Sequence, residues 1–245
     1  MIIDLENLNG LPQKFIQRLN QFDDIFTRFR FLEDYEDFAG ISLVIRDINT
    51  YCLENNIIGY HYTKVIDSDI LKNGIIIRTG KEIRNDFVNR HFHLFTIEEQ
   101  NQIMSCWKKR FGEKDTEHRD SRIFFNFTKK ALPIGGADLL LNYYGGEQVY
   151  FPIYDLPSIG DKLKGIGTSM ILKCVLNPND LNTFFEYPWG KIIVSSYNRL
   201  KNPNAHVWDQ DGYQKIGVNP ENIEIIKYES TFANNHPQFI NSFSY

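Results

Sequence analysis

Residues 59–75 read "GYHYTKVIDSDILKNGI", and the order of residue types in this stretch decides the fold class. Asn55 and Asn56 stop a helical pattern, and the run rich in Ile and Tyr that follows fits a strand. Asp67 or Ser68 then caps a short helix, which Gly74 closes with a left-handed residue. Further strands are expected in "SRIFFNFT" (121–128), "EQVYFPIY" (147–154), "SMILKCVL" (169–176), "KIIVSSY" (191–197) and "ENIEIIKYE" (221–229). Between them lie "IGGADLLLNYYGG" (134–146), a helix bounded by glycine pairs, and "NPNDLNTFF" (177–185), a turn and short helix. Strands interleaved with short helices at no constant period predict an α+β fold in place of a doubly wound parallel sheet.

Upstream of this stretch the period changes. From Leu11 to about Phe31, the residues Phe15, Leu19, Phe22, Ile25, Phe26 and Phe29 recur at helical spacing, which predicts one amphipathic helix. A second helix is expected from about Asp37 to Glu54, with Ile41, Val44, Ile45, Ile48 and Cys52 on its apolar side. Residues 1–56 therefore read as a helical lead-in packed on a larger unit of residues 57–245. Thr96 and Glu99 form a capping-box pattern that opens another helix, running to about Arg110 and ending at Gly112.

The chain has 245 residues, 42% hydrophobic and 14% aromatic, enough to bury a sizeable core. Its formal net charge of -4 exerts no global pull on nucleic acid, so such binding would need a local basic face. Residues 108–130 hold eight Lys or Arg against four acids, a stretch that reads either as a solvated loop or as a phosphate-binding surface. Cys52, Cys106 and Cys174 are unclustered and flanked by apolar residues, which suits buried thiols in a reducing compartment. No stretch approaches the roughly 18 apolar residues of a membrane span, and a cytoplasmic location is the simplest expectation.

Nucleotide loops of the GxGxxG and GxxxxGK[ST] types are absent, as are HExxH, CxxC and GxSxG patterns. His91 and His93 lack a third metal ligand at a diagnostic spacing, so no metal is expected; His118, His206 and His236 stand in polar segments and read as solvent-exposed. Two positions stand out. On a strand, His61 and Thr63 point to one face while Tyr60 and Tyr62 point to the other, so a histidine and a hydroxyl lie side by side, able to bond sugar hydroxyls or a phosphate, or simply to cap the next helix. Glu147 follows Gly145 and Gly146 at the expected start of a strand, where backbone can approach a ligand closely; an exposed turn acid is the plainer reading. Tyr143 and Tyr144, just before it, offer flat faces for a planar ring or for the core.

Taken together, His61-Tyr62-Thr63 on a first strand, the helix ending in "NGI", the "RIFFNFT" strand and Glu147 opening "EQVYFPIYD" resemble the ADP-ribosyltransferase superfamily. More narrowly, "YHYT" followed by "YYGGE" is similar to an uncharacterised group of bacterial proteins with HYT and GGE-type motifs. The resemblance covers about residues 57–176 and implies a split mixed or antiparallel sheet, NAD as substrate, and cleavage of its nicotinamide glycosidic bond. It implies that Glu147 stabilises an oxocarbenium-like state, that His61, supported by Thr63, bonds a ribose hydroxyl, and that the Tyr62 backbone meets the nicotinamide amide. Phe125, Tyr143 or Tyr144 would stack on nicotinamide, and Arg78, Arg84 and Arg90 would either serve the pyrophosphate or form a solvated helix face. About a hundred residues follow Glu147, which makes Glu186 the substitute acid. The implied activity is ADP-ribosyl transfer to a macromolecule, protein or nucleic acid, or NAD hydrolysis, in a bacterial toxin or phage-defence setting. A non-catalytic binding or immunity-type module and an RNA-directed phosphate-transfer enzyme are the alternatives.

Overall fold

The computed structural model describes residues 1–112 and 120–228. Residues 113–119 in the middle of the basic stretch, His118 among them, lie outside the described residues, as does His236. The chain begins with β1 (Ile2–Ile3), followed by α1 (Gln13–Asn20), α2 (Asp23–Arg28) and α3 (Ala39–Leu53). The single helix expected over 11–31 is thus two, because the chain breaks at Gln21 and Phe22 so that Phe15 and Leu19 on one piece and Phe26 on the other all reach the core.

β2 (Asn56–Val65) runs into α4 (Asp67–Asn73), which ends at Gly74 with φ of 65°. Asp67 is the first helical residue and not the cap. Next come α5 (Gly80–His91) and α6 (Ile97–Arg110), each opened by a complete Thr/Glu capping box. The box at Thr79 and Glu82 was legible in the sequence and marks a helix the periodicity did not reveal. After β3 (Ile123–Asn126) come α7 (Asp138–Asn142), α8 (Glu147–Tyr150) and α9 (Pro157–Gly165). The last part comprises β4 (Thr168–Leu176), β5 (Asn182–Thr183), α10 (Pro188–Lys201), β6 (Asp211–Gln214) and β7 (Ile223–Lys227).

Two expected strands are helices. "KIIVSSY" lies inside α10, where Pro188 presets the first turn and residues 188–190 and 192–198 are buried, so the run of branched side chains reports burial and not a strand. "EQVYFPIY" is α8 and the turns after it: the Tyr150 N–H donates to the Gly146 carbonyl, a helical bond that strand alternation of Val149, Phe151 and Ile153 would forbid.

The fold is α+β, with an open seven-stranded sheet in the order β5-β6-β3-β2-β4-β7 and β1 beside β2. Among the described residues all strand pairings are antiparallel except the parallel one of β1 with β2. One face of the sheet carries Ile57, Phe125, Leu172 and Cys174 against α3 and α10, and Phe15, Leu19 and Phe26 join the same core, so the N-terminal helices and the sheet share one hydrophobic interior. Gly190 lets α10 lie directly on α3, because a Cβ there would stand 2.0 Å from the Ile45 carbonyl oxygen. The other face packs Ile58, Tyr60, Tyr62 and Ile171 against Ala137 and Leu141 at α7. A third cluster, from Phe87, Phe95, Trp107, Tyr144, Val149 and Leu163, holds α5, α6, α8 and α9 together. Cys52 and Cys174 are buried free thiols whose burial pushes both up to about 12, while Cys106 is half-buried.

No helix among the described residues is long and apolar enough to cross a membrane.

Candidate functional site

The central strand β2 is paired with β4 from Ile57↔Leu176 to Val65↔Thr168. On its other edge it meets β3 at a single pair, Tyr60↔Asn126, after which the two strands part. His61 stands at the parting. Its Nδ1 lies 2.9 Å from the Phe124 carbonyl oxygen, so a side chain takes over where the backbone ladder stops. A carbonyl only accepts, so Nδ1 carries the proton; Nε2 makes no hydrogen bond among the described residues. Burial pushes the imidazole pKa down, against a smaller opposing effect of the Phe124 bond. Near neutral pH the ring is therefore neutral, with an acceptor lone pair on Nε2.

Around His61 the expected residues divide between the two faces. Thr63 is buried on the His61 face, and Phe125, also buried, lies beside the imidazole with ring centroids 6.0 Å apart. Tyr62 turns to the opposite face, where its hydroxyl donates to the Thr128 carbonyl at 3.4 Å. On the His61 face the adjoining strands supply Ile123 and Phe125 from β3 and Gly212 and Gln214 from β6, none of them a carboxylate.

Glu147 comes from elsewhere. It does not open a strand but is the first residue of α8, after Gly145 and Gly146 with φ of 87° and 69°. Those angles are why the two glycines are needed, since a side chain would be strained at both. The turn is tied to β2 by the Gly145 N–H, which donates to the Lys64 carbonyl at 3.2 Å. Lys64 is three residues beyond His61, about 10 Å at a strand rise of about 3.3 Å per residue. The Trp107 indole N–H donates to the Val149 carbonyl at 3.0 Å and holds α8 to α6.

Tyr144 is buried, with its ring edge-on to His91 at 4.7 Å and near Phe87, which makes it a member of the helical core. Tyr143 is half-buried and packs on Tyr150 and Tyr154 at 5.8 and 5.6 Å. Glu186 is exposed just beyond the edge strand β5, three strands from β2.

The three arginines separate by partner. Arg78 pairs with Asp86 at 3.3 Å, and Arg90 with Asp69 at 2.6 Å and Asp86 at 3.5 Å. Arg84 instead donates to the Gln148 side-chain oxygen at 2.6 Å, with its guanidinium over Phe111. Among the described residues it has no carboxylate within ion-pair distance, and it adjoins the residue after Glu147. Arg84 is thus the one arginine of the three without an ion pair among the described residues, its nearby carboxylate being Asp120.

A residue that the sequence reading passed over sits at the far end of the β3 connection. Asp209 accepts from the Thr128 hydroxyl at 2.5 Å, the Thr128 N–H at 3.1 Å, the Phe127 N–H at 3.3 Å and the Gln210 N–H at 2.8 Å. Burial nevertheless outweighs those bonds and pushes its carboxyl up to about 6. An aspartate in a polar loop carries no sequence signal of this kind.

A cavity of about 290 Å³ is lined by Asn56, Asn177, Asp180, Gln214, Asn219 and neighbouring residues, and includes neither His61 nor Glu147. No family model, no curated protein and no solved structure matches the chain.

Proposed function

We propose that the chain cleaves the nicotinamide glycosidic bond of NAD, transferring ADP-ribose to a macromolecule or to water, on an ADP-ribosyltransferase-like split sheet. One observation carries this reading. The imidazole of His61 stands where β2 and β3 part, fixed through Nδ1 to the Phe124 carbonyl with Nε2 left as an acceptor. A ribose hydroxyl is a donor of the kind Nε2 lacks, and a neutral, rigidly held acceptor orients a sugar at little entropic cost.

Glu147 supplies the carboxylate in this proposal, opposing the positive charge that develops at the anomeric carbon as nicotinamide leaves. Its support is the anchorage of its turn to β2 next to Lys64. Arg84 would take a pyrophosphate oxygen, because a guanidinium already matched by an aspartate has less to gain from a phosphate. Release of nicotinamide from NAD by the purified protein, with and without cell lysate, tests the assignment. Glu147→Gln keeps shape and removes charge, so release should fall at least about a hundred-fold while the circular dichroism spectrum is unchanged. Full activity in that variant would falsify the catalytic role of Glu147.

A second reading is favoured by a specific observation: the strands flanking His61 on its own face contribute Ile123, Phe125, Gly212 and Gln214 and no acid. A binding module on the same fold would need none. Such a module binds NAD or a partner without releasing nicotinamide, and the same assay separates the two. For the RNA-directed phosphate-transfer alternative, the carboxylate pairing of Arg78 and Arg90 withdraws two of the cations it needs.

A further inference from the structure

The sheet face opposite His61 is only half covered. Ala131, Leu132, Ala137 and Leu141 pack over Tyr60, Tyr62 and Ile171, on β2 and β4. Beyond them, three aromatic rings from three adjacent strands lie in a row outside every core cluster. Phe124 of β3 sits 5.4 Å from Tyr213 of β6, which sits 6.4 Å from Phe184 at the end of β5. Phe124 and Tyr213 are half-buried, and Phe184 is 64% exposed. An aromatic row at strand spacing, open to solvent, is costly in water unless something stacks on it.

Elsewhere on this face Lys129 pairs with Glu6 and Lys173 with Glu224, but three cations have no ion pair among the described residues. Arg122 lies over the Tyr213 ring at 4.5 Å, and its Nε is buried without an acceptor. Lys64 is half-buried, has no ion pair among the described residues, and is pushed down in pKa by burial alone. By strand alternation Lys64 shares the face of Tyr60 and Tyr62 on β2, and Arg122, just before β3, that of Phe124. Exposed Lys215 follows Tyr213 by two residues. Of the acids on this face, Glu224 is paired with Lys173, and Asp211 accepts a bond from the Asn126 amide at 2.7 Å, at the other end of β3 from Arg122. Flat rings in a row, bordered by cations without counter-charges, match the alternation of bases and phosphates in a single strand of nucleic acid.

We infer that the open face of β3, β6 and β5 binds single-stranded nucleic acid, with bases stacking on Phe124, Tyr213 and Phe184 and phosphates meeting Arg122 and Lys64. The inference extends the proposed function, since it makes nucleic acid the acceptor class, but binding does not require NAD cleavage to be correct. The test therefore measures binding alone. Fluorescence anisotropy of a labelled oligothymidine or oligouridine strand, and of a duplex of matched length, is followed with the full chain in low salt.

The single strand should bind, and the duplex, whose bases cannot reach the rings, at least about ten-fold more weakly. Phe184→Ala, at an exposed position that leaves the fold intact, should weaken binding about five- to ten-fold. Arg122→Gln should weaken it and reduce the salt slope by about 0.7, because one phosphate fewer is neutralised. Equal affinity for duplex and single strand would overturn the stacking inference. Wild-type affinity in both variants would do the same, as would no anisotropy change up to about 100 µM protein, the weak end of non-specific binding. A concentration-dependent dimer, broken by Phe184→Arg without any oligonucleotide binding, would assign the face to a second copy of the chain and overturn it too.

Discussion

Replacing Asp209 by alanine tests how the parted sheet is held. The carboxylate gathers the Phe127 and Thr128 N–H groups and the Thr128 hydroxyl, so it clamps the end of β3 to the segment that leads into β6. Phe127 and Thr128 are fully buried, so Asp209→Ala leaves three buried donors without an acceptor, at about 1–3 kcal/mol each. Opposing this, the native carboxylate is itself costly: its pKa rises from 3.8 to about 6, which makes the ionised form about 3 kcal/mol less favourable in the fold than in the unfolded chain. The loss of about 3–9 kcal/mol less about 3 leaves a net cost of about 0–6 kcal/mol at about pH 7.5.

The pH dependence carries the sharper test. A carboxyl raised in the fold contributes stability that is fully present below 3.8 and is lost as pH rises through about 6. At about pH 5 the native protein retains roughly 1 kcal/mol of that contribution and the alanine variant none. The difference in stability between native and Asp209→Ala should therefore grow by roughly 1 kcal/mol from about pH 7.5 to about pH 5. Urea unfolding followed by tryptophan fluorescence measures it. A difference that is constant with pH, or shrinks towards acid, refutes the assignment of a raised carboxyl.

Further outcomes are expected at other positions. Gly190→Ala places a methyl group against the Ile45 carbonyl and forces α10 off α3, so a loss of about 3 kcal/mol or more is expected in chemical denaturation; a loss below about 1 kcal/mol would show that the two helices are not held at that point. His61→Ala should raise KM for NAD more than it lowers kcat, as expected for a group that orients the ribose. In the native protein NAD affinity should be flat above about pH 6.5 and fall only at lower pH, because His61 protonates below its ordinary value and then loses its Nε2 acceptor. Isothermal titration across that range would decide it, and affinity that falls with pH equally in His61→Ala would place the titration elsewhere.

How much of this was legible in the amino-acid order differs from element to element. β2, β4 and α3 could be read directly, since β-branched and aromatic runs, asparagine stops and a helical apolar stripe act within a few residues of themselves. The His61 and Thr63 pairing on one face followed from strand alternation alone. The α+β class followed from the irregular spacing of strands and helices.

Tertiary structure decided the rest. The strands around residues 147–154 and 191–197 became helices because burial on several sides rewards apolar residues in either conformation, and local propensity is too weak to choose. β1 and β6 are two and four residues long and exist only because a neighbouring strand offers them hydrogen bonds. The parting of β2 from β3 at His61, the Asp209 clamp and the aromatic row on the open face all join residues far apart in the chain. Such contacts depend on which strands become neighbours, and no residue carries that information by itself.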